Sequence, residues 1–203
     1  MTSHDPGVAW YDRHAPRLAE KYDGARFEAV HGWLLPLLGD EKNGAVLDVG
    51  AGTGRDAAWF AAHGFPVVAI EPSAGLRAEA CERHPDRSIE WLDERLPDLK
   101  GVRASGRTFS LILLSAVWMH VTQAERARAF ETLVSLLRPR GLLAVTLRLG
   151  EPDTERGMAV VTSEEVVGLA GMYGLEVVHN EVSADALGRS DVAWGEVAMR
   201  KPA

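Results

Sequence analysis

A hydrophobic run leads directly into three closely spaced glycines in the stretch Val46-Leu47-Asp48-Val49-Gly50-Ala51-Gly52-Thr53-Gly54, which Arg55 and Asp56 follow. This pattern predicts a buried strand, a tight turn and the first residues of a helix. Glycines at alternate positions allow backbone conformations that other residues avoid, and they let a ligand approach the main chain. The free N–H groups at the start of a helix favour an anionic group. The stretch therefore predicts a nucleotide-binding turn.

The spacing of the glycines distinguishes between kinds of nucleotide. A dinucleotide-binding turn reads G-x-G-x-x-G, whereas residues 48–54 read D-x-G-x-G-x-G, so an NAD-dependent oxidoreductase is the less favoured interpretation. The stretch resembles the first motif of the class I S-adenosylmethionine-dependent methyltransferases, a hydrophobic strand that ends in (D/E)-x-G-x-G-x-G. The acid at Asp48 suits a ligand that carries an ammonium group and a positively charged sulfur. The resemblance implies S-adenosyl-L-methionine as the cofactor, S-adenosyl-L-homocysteine as its product, and a binding site that includes Asp48, Gly50, Gly52 and Gly54.

Short apolar runs alternate with amphipathic stretches from Ala45 onward, which is typical of a doubly wound α/β sheet. We expect strands at residues 45–49, 66–70, 89–92, 110–115, 142–147, 175–182 and 194–200. The polar segment 183–191 has no helical pattern, so the last two strands should pair as an antiparallel hairpin. The resemblance implies a Rossmann-like, mostly parallel sheet of seven strands with an antiparallel last strand and helices on both faces. Because no linker-like segment divides the chain, residues 1–203 are expected to form a single methyltransferase domain, with a core over residues 44–201.

Two helices have clear sequence signals at their ends. Thr122 with Glu125, and Thr162 with Glu165, have the Thr-x-x-Glu spacing of a capping box. Proline at 139 and glycine at 174 mark the two helix ends.

Residues 1–40 differ in character and predict an N-terminal helical cap, with helices over 8–22 and 25–38 and a break or bend in the second helix at Pro36. The cap contains the aromatic residues Trp10, Tyr11, Tyr22, Phe27 and Trp33. Packing of the cap onto the sheet is the favoured explanation for Trp10, Phe27 and Trp33. Members of the resembled family often use an N-terminal tyrosine to close over the methionine tail, which makes Tyr11 and Tyr22 candidates for that role.

Several further residues are candidates for binding the cofactor. Glu71 ends the second strand, where a carboxylate can accept hydrogen bonds from both ribose hydroxyls, as the acid of the resembled family does. The segment from Ile89 to Pro97 resembles the family's third motif, which implies Asp93 as acceptor for the adenine amino group, Glu94 as the alternative, and Leu96 as an apolar wall. The resemblance also places the carbonyl near Ser115 against the donor's amino group. Arg55 can pair with the donor's carboxylate, although a solvated arginine at the start of a helix is the competing view.

The loop after the fourth strand faces the acceptor in the resembled family. His120 lies there and is a candidate base because the ordinary pKa of histidine is close to neutrality, with a capping or solvated role as the equal alternative. Trp118 can stabilise a sulfonium through cation–π attraction. In the final hairpin, Arg189, Asp191 and Trp194 are candidate substrate residues, although ordinary loop and strand packing also explains them.

The composition limits the partners that the protein can have. The net charge of -7 comes without a basic stripe, so nucleic acid is disfavoured as substrate. The single cysteine, Cys81, and the scattered histidines lack metal-ligand spacing, so no metal is predicted. The longest apolar run is too short to span a bilayer, and residues 1–6 lack the layout of a signal peptide. We therefore expect a cytoplasmic protein without a membrane anchor.

These observations favour a methyltransferase that acts on an O, N or S atom of a small-molecule acceptor by in-line displacement. The chain has no large insertion or auxiliary segment to grip a polymer, which makes methylation of a peptide or RNA the second hypothesis. A non-catalytic, donor-binding regulatory protein that keeps the glycine turn and Glu71 is the third.

Overall fold

The structure is a computed structural model that describes residues 5–38, 44–86, 88–185, 189 and 192–203. Within these residues the chain forms the strands β1 (Val46–Val49), β2 (Val67–Ile70), β3 (Ile89–Leu92), β4 (Phe109–Ser115), β5 (Leu137–Leu149), β6 (Glu176–Ala184) and β7 (Ala193–Arg200). They make one seven-stranded sheet in the order β3-β2-β1-β4-β5-β7-β6. β7 runs in the opposite direction to the other six strands, so it pairs antiparallel with both β5 and β6. The expected fold class and the antiparallel hairpin of the last two strands are confirmed.

Helices connect most of the strands, in the manner of a doubly wound fold. The described α-helices are α1 (Pro6–Asp23), α2 (Phe27–His31), α3 (Arg55–Ala62), α4 (Ala74–Arg83), α5 (Lys100–Ala104), α6 (Gln123–Leu136) and α7 (Ser163–Met172). Three 3-10 segments complete the pattern, at Gly32–Leu37, Trp118–His120 and Thr154–Arg156. None of the helices in the described part of the chain is both long and apolar enough to cross a bilayer.

The central strands are buried on both faces because helices pack on each side of the sheet. Successive residues of a strand point to opposite faces. Accordingly, Leu47 and Ile112 belong to one apolar cluster, whereas Val46 and Leu111 belong to the other. β1 lies between β2 and β4, where the strand order reverses. In open α/β sheets, ligands bind at the carboxyl ends of the strands beside such a reversal.

The structure corrects two details of the predicted elements. β5 begins at Leu137 instead of residue 142, because Leu137 already pairs with Phe109 of β4. α6 starts after Thr122 as expected, but the Thr122 hydroxyl donates to the carboxylate of Glu125 and does not cap a backbone N–H. The capping box predicted there is therefore wrong. At α7 the Thr162 hydroxyl does accept from the N–H of Glu165, at 3.2 Å.

The N-terminal cap has two helices, as predicted, but the second changes form earlier than expected. The α-helical conformation ends at His31, and a 3-10 segment already begins at Gly32, so the break predicted at Pro36 is misplaced. Phe27 is buried and stacks on Trp59 at 3.9 Å between ring centroids, which agrees with a packing role. Trp33, by contrast, also lines a cavity.

Candidate active site

A larger and a smaller cavity adjoin at the carboxyl ends of β1 and β4. Their volumes are about 340 Å³ and about 250 Å³. The residues that line both are Tyr22, Gly50, Gly52, Ser115, Ala116 and Arg156. The glycine turn predicted from sequence therefore lies where the two cavities meet.

The backbone of the glycine turn has conformations that other residues avoid. Gly50 and Gly52 have φ values of 71° and 57°, in the left-handed region. A Cβ on Gly50 would lie 2.4 Å from the side chain of Val117, whereas a Cβ on Gly52 would meet no atom within 4 Å. The space at Gly52 is the cavity itself. Gly54, also at positive φ, is the N-cap of α3 and packs close to Trp91.

Glu71 follows β2 and is almost completely buried, with its side chain in the wall of the smaller cavity. Its two carboxylate oxygens accept hydrogen bonds from the N–H groups of Gly52 at 2.9 Å and Ser73 at 2.8 Å. Burial raises the pKa of Glu71 to about 7, although these two hydrogen bonds act in the opposite direction. Each oxygen keeps a lone pair for a further donor. The residue can therefore accept two hydroxyl groups from a ligand.

Two other acids lie beneath and beside the turn. Asp48 is 1% exposed, and burial, with the negative charge of Asp56, raises the pKa of its carboxyl group well above the ordinary value. Burial alone would also raise the pKa of Asp56, but His31 and Arg55 beside it hold that pKa below its ordinary range.

Asp56 is the centre of a buried polar cluster that joins the cap to the glycine turn. Arg55 donates to both of its oxygens, at 2.7 Å and 2.9 Å. His31 of α2 is fully buried, and its Nε2 lies 3.1 Å from Asp56 Oδ2 and 3.1 Å from the hydroxyl of Ser115. Ser115 is the last residue of β4. His31 thus holds together three elements that meet at the larger cavity.

A second polar cluster, formed by Arg156, Tyr11, Tyr22 and His120, closes the site from the opposite side. Nη2 of Arg156 donates to the hydroxyl oxygens of Tyr11 at 2.6 Å and Tyr22 at 3.0 Å. The Arg156 guanidinium also lies 5.2 Å from the ring centroids of both Trp10 and Tyr11. The cluster therefore fastens α1 over the region where the cavities meet.

His120 belongs to this cluster and lines the smaller cavity. Its Nε2 lies 3.2 Å from the Tyr11 hydroxyl. Burial and the positive charge of Arg156 lower the pKa of His120 to about 4, while burial raises the pKa of Tyr11 above its ordinary value. At neutral pH the tyrosine keeps its proton. Arg156 is itself a donor, so of these two neighbours only the uncharged imidazole can accept that proton in a hydrogen bond.

A family model described as a methyltransferase domain matches residues 22–180 of the chain. The chain belongs to this family. An uncharacterized methyltransferase of Alkaliphilus oremlandii (strain OhILAs) is 28% identical over 128 residues, which are 63% of this chain and 56% of that relative. The chain thus spans little more than half the length of this relative.

Solved structures of other proteins have the same fold as this chain. One is a Burkholderia thailandensis 1,6-didemethyltoxoflavin-N1-methyltransferase with bound 1,6-didemethyltoxoflavin and S-adenosylhomocysteine, at a TM-score of 0.66 and 20% identity, covering 96% of this chain and 81% of that one. Another is the [4+2]-cyclase SpnF, at a TM-score of 0.69 and 17% identity, covering 96% and 94%. At such identities the likeness shows the fold alone, and the cyclase illustrates that the fold does not fix the reaction.

Of the remaining residues predicted for the site, some line the cavities and others do not. Glu94 and Leu96 line the smaller cavity. Asp93 is exposed, pairs with Arg77 at 2.9 Å and lines neither cavity. Trp118 is 1% exposed and packs against Phe130 in the core. Successive residues of a 3-10 turn point about 120° apart, so Trp118 faces the core while His120 faces the cavity.

The final hairpin supplies part of the larger cavity. Arg189 and Trp194 line it, as does Asp185. Arg189 donates to both oxygens of Asp185, at 3.0 Å and 2.6 Å, and the indole N–H of Trp194 donates to the same carboxylate at 2.9 Å. Asp191, the third substrate residue predicted in this hairpin, lies outside the described residues.

Arg156 and Asp56 are among the residues of the site for which the sequence pattern predicted no role. Arg156 follows β5 in an irregular segment without periodicity, so no pattern marked it. Asp56 stands in the first turn of α3, where an acid is explained equally well by the helix dipole.

Proposed function

We propose that the protein is an S-adenosyl-L-methionine-dependent methyltransferase that transfers a methyl group to an O, N or S atom of a small-molecule acceptor by in-line displacement. The observation that carries this proposal is the junction of two cavities at Gly50 and Gly52, with the buried carboxylate of Glu71 in the smaller one. A transfer reaction needs two compounds held with their reacting atoms in contact. Adjoining cavities provide that arrangement, and membership of the methyltransferase family supports the choice of donor.

The smaller cavity fits the adenosine half of the donor. Glu71 offers acceptors to two ribose hydroxyls, and the missing Cβ at Gly52 leaves room for the ligand to lie against the backbone. Leu96 supplies an apolar wall. Glu94 lines this cavity and is the proposed acceptor for the adenine amino group, since Asp93 is exposed and pairs with Arg77. When bound, S-adenosylmethionine would supply a methyl group attached to a positively charged sulfur.

The larger cavity is the proposed acceptor site, next to the donor's amino-acid part. Its walls include Trp33, Met158 and Trp194. The indole N–H of Trp33 is buried and has no hydrogen-bond partner among the described residues, so it can donate to an acceptor. Tyr22 and Trp33 reach this cavity from the N-terminal cap, and such a roofed space suits a small molecule better than a polymer. The small molecule bound to the similar Burkholderia protein agrees with this view.

His120 is the residue proposed to take a proton from the acceptor where one must be lost. Its Nε2 is uncharged and already accepts a hydrogen bond from Tyr11. His120 lines the smaller cavity, so an acceptor held in the larger one would have to reach past the junction and replace the Tyr11 hydroxyl to meet the same lone pair. Since the pKa of His120 is about 4, the residue is a weak base and suits a proton that leaves as the methyl group is transferred.

The test combines binding with a screen for turnover. We expect S-adenosylhomocysteine to bind in calorimetry and to be released from S-adenosylmethionine when a panel of amines, phenols, carboxylates and thiols is supplied. Glu71→Ala should weaken this binding at least about tenfold, because two hydroxyl hydrogen bonds to a charged group are lost. Glu131→Ala, an exposed glutamate of α6, is the matched control. Binding of NADH in preference to S-adenosylhomocysteine would contradict the proposal.

A donor-binding protein without turnover is the second candidate. The observation in its favour is that Tyr11 already occupies Nε2 of His120, the nitrogen that a base would use. Tight binding of S-adenosylhomocysteine without any product from the acceptor panel, in both the native protein and Tyr11→Phe, would favour this second function.

A further inference from the structure

Arg156 stands where the two cavities meet, yet its guanidinium has only neutral hydrogen-bond partners. Nη2 donates to the hydroxyl oxygens of Tyr11 and Tyr22. Its Nε is buried and lacks an acceptor, and no carboxylate lies within 4 Å of the group, anywhere in the part of the chain that the structure describes. A partly buried charge without an opposite charge is costly unless a ligand supplies one.

Two of the three other arginines that line the larger cavity differ from Arg156 in this respect. Arg55 binds the carboxylate of Asp56, and Arg189 binds that of Asp185 through two hydrogen bonds. Arg148 donates to the carbonyl oxygen of Glu151 at 2.6 Å. Arg148, like Arg156, has only a neutral partner, but Arg156 is the arginine of this set that lines both cavities.

Tyr22 provides a second donor at the same place. The Tyr11 hydroxyl accepts from Arg156 and directs its own proton to His120. The Tyr22 hydroxyl accepts from the same nitrogen, but no acceptor takes its proton among the described residues. Tyr22 lines both cavities. A ligand at the junction therefore meets a planar guanidinium and a phenolic O–H together.

We propose that Arg156 and Tyr22 form an anion-binding site that takes a carboxylate or phosphate group of a ligand held at the junction of the cavities. The guanidinium fork matches the oxygens of such a group, and the hydroxyl adds a third hydrogen bond. The anion also places negative charge beside the site where a positively charged sulfur would lie. This inference rests on the proposed function, and two ligands can supply the anion: the donor, through its amino-acid carboxylate, or the acceptor.

Two experimental arms distinguish these sources. The first compares binding of S-adenosylhomocysteine with binding of 5′-methylthioadenosine, which has the same nucleoside but no amino-acid part. The second adds inorganic phosphate or benzoate to the protein, with and without saturating S-adenosylhomocysteine, and follows the rise in Tm. Arg156→Met keeps an unbranched apolar side chain without the charge, and Arg156→Lys keeps the charge without the fork. Tyr22→Phe removes only the hydroxyl, and Arg13→Met on the exposed face of α1 is the control.

If the anion belongs to the donor, Arg156→Met weakens S-adenosylhomocysteine binding about tenfold or more, while 5′-methylthioadenosine binding changes less than about twofold. If it belongs to the acceptor, both nucleosides bind normally, and the stabilisation by phosphate or benzoate disappears in Arg156→Met. Tyr22→Phe should give a smaller loss of the same kind, with α1 still anchored through Tyr11. Unchanged affinity for every probe in Arg156→Met would overturn the inference. Failure of the native protein to bind either nucleoside would instead overturn the proposed function, and the phosphate and benzoate arm would still test the anion site.

Discussion

The N–H of Gly52 donates to Oε2 of Glu71 at 2.9 Å, so the glycine turn and the end of β2 are joined by a direct hydrogen bond. The same carboxylate would have to accept the ribose hydroxyls of the proposed donor. Burial raises its pKa to about 7, which places the change of charge within the range of ordinary experiments. Stability and donor binding should therefore both depend on pH through Glu71, in opposite directions.

Glu71→Gln should make the protein's stability less dependent on pH. A pKa raised in the folded state means that folding favours the protonated carboxyl, so its contribution to stability is present below about pH 4.5 and is lost as pH rises through 7. The size of the shift corresponds to about 3 kcal/mol. Urea unfolding at pH 5 and pH 8 should show the native protein losing more stability than the variant. Equal pH dependence in both proteins would show that Glu71 keeps its ordinary pKa.

Binding of S-adenosylhomocysteine should weaken as pH falls below about 7, because ribose hydroxyls donate best to the ionised carboxylate. The loss should approach tenfold for each pH unit. Calorimetry in buffers with different ionisation enthalpies would detect the proton released on binding near pH 6. Glu71→Gln should bind more weakly but without this proton release, and a proton release that persists in the variant would assign the effect to another group.

The glycines of the turn should tolerate a methyl group to different degrees. Gly50→Ala places a Cβ 2.4 Å from Val117 in a left-handed conformation, so it should destabilise the fold by more than the roughly 1–2 kcal/mol of the conformation alone. Gly52→Ala should lower the free energy of unfolding by about that conformational penalty. It should also abolish donor binding, since its Cβ enters the cavity. Urea unfolding and calorimetry measure the two effects separately.

Gly168 provides the matched control for these substitutions. It lies in α7 with open space at the Cβ position and without a positive φ. Gly168→Ala should therefore stabilise the protein by about 0.5–1 kcal/mol and leave donor binding unchanged. If Gly52→Ala binds S-adenosylhomocysteine as tightly as Gly168→Ala does, the ligand does not lie against the glycine turn.

The fold was accessible from sequence because it depends on local patterns. Apolar runs such as 110–115 have the length of buried strands, and the glycine turn locates the carboxyl edge of the sheet. Glu71 could be placed for the same reason, as the residue that ends a strand at that edge. β5 was harder, since its first residues pair with Phe109 despite a proline at 139, and no local pattern reports such a pairing.

The arrangement of side chains within the site was less accessible. Arg156 reaches Tyr11 and Tyr22 across more than a hundred residues of sequence, and only the packing of α1 on the segment after β5 brings them together. At residues 93 and 94 the strand has ended, so alternation no longer tells which side chain faces the ligand. The structure turns Glu94 toward the smaller cavity and Asp93 toward Arg77.

Ionisation of His120 should not change the methyl-transfer rate above about pH 5. Burial and Arg156 lower its pKa to about 4, so the imidazole is already uncharged throughout the neutral range. His120→Asn should lower kcat by about 100-fold if the residue takes the acceptor's proton, with little change in the affinity for S-adenosylhomocysteine. An acidic limb near pH 6.5 that disappears in His120→Asn would contradict the lowered pKa, and an unchanged kcat would exclude a role as base.

His31 should be important for stability, because it joins α2 to the glycine turn and to β4. His31→Ala removes the hydrogen-bond partner that Asp56 and Ser115 share and leaves a void in a fully buried position. We expect a loss of about 2–4 kcal/mol in the free energy of unfolding. His63→Ala is the control, since His63 lies exposed at the end of α3. Asp56 keeps its two hydrogen bonds from Arg55 in this variant, so the loss measures the contacts and the packing of His31. A loss no larger than that of His63→Ala would show that His31 does not join these elements.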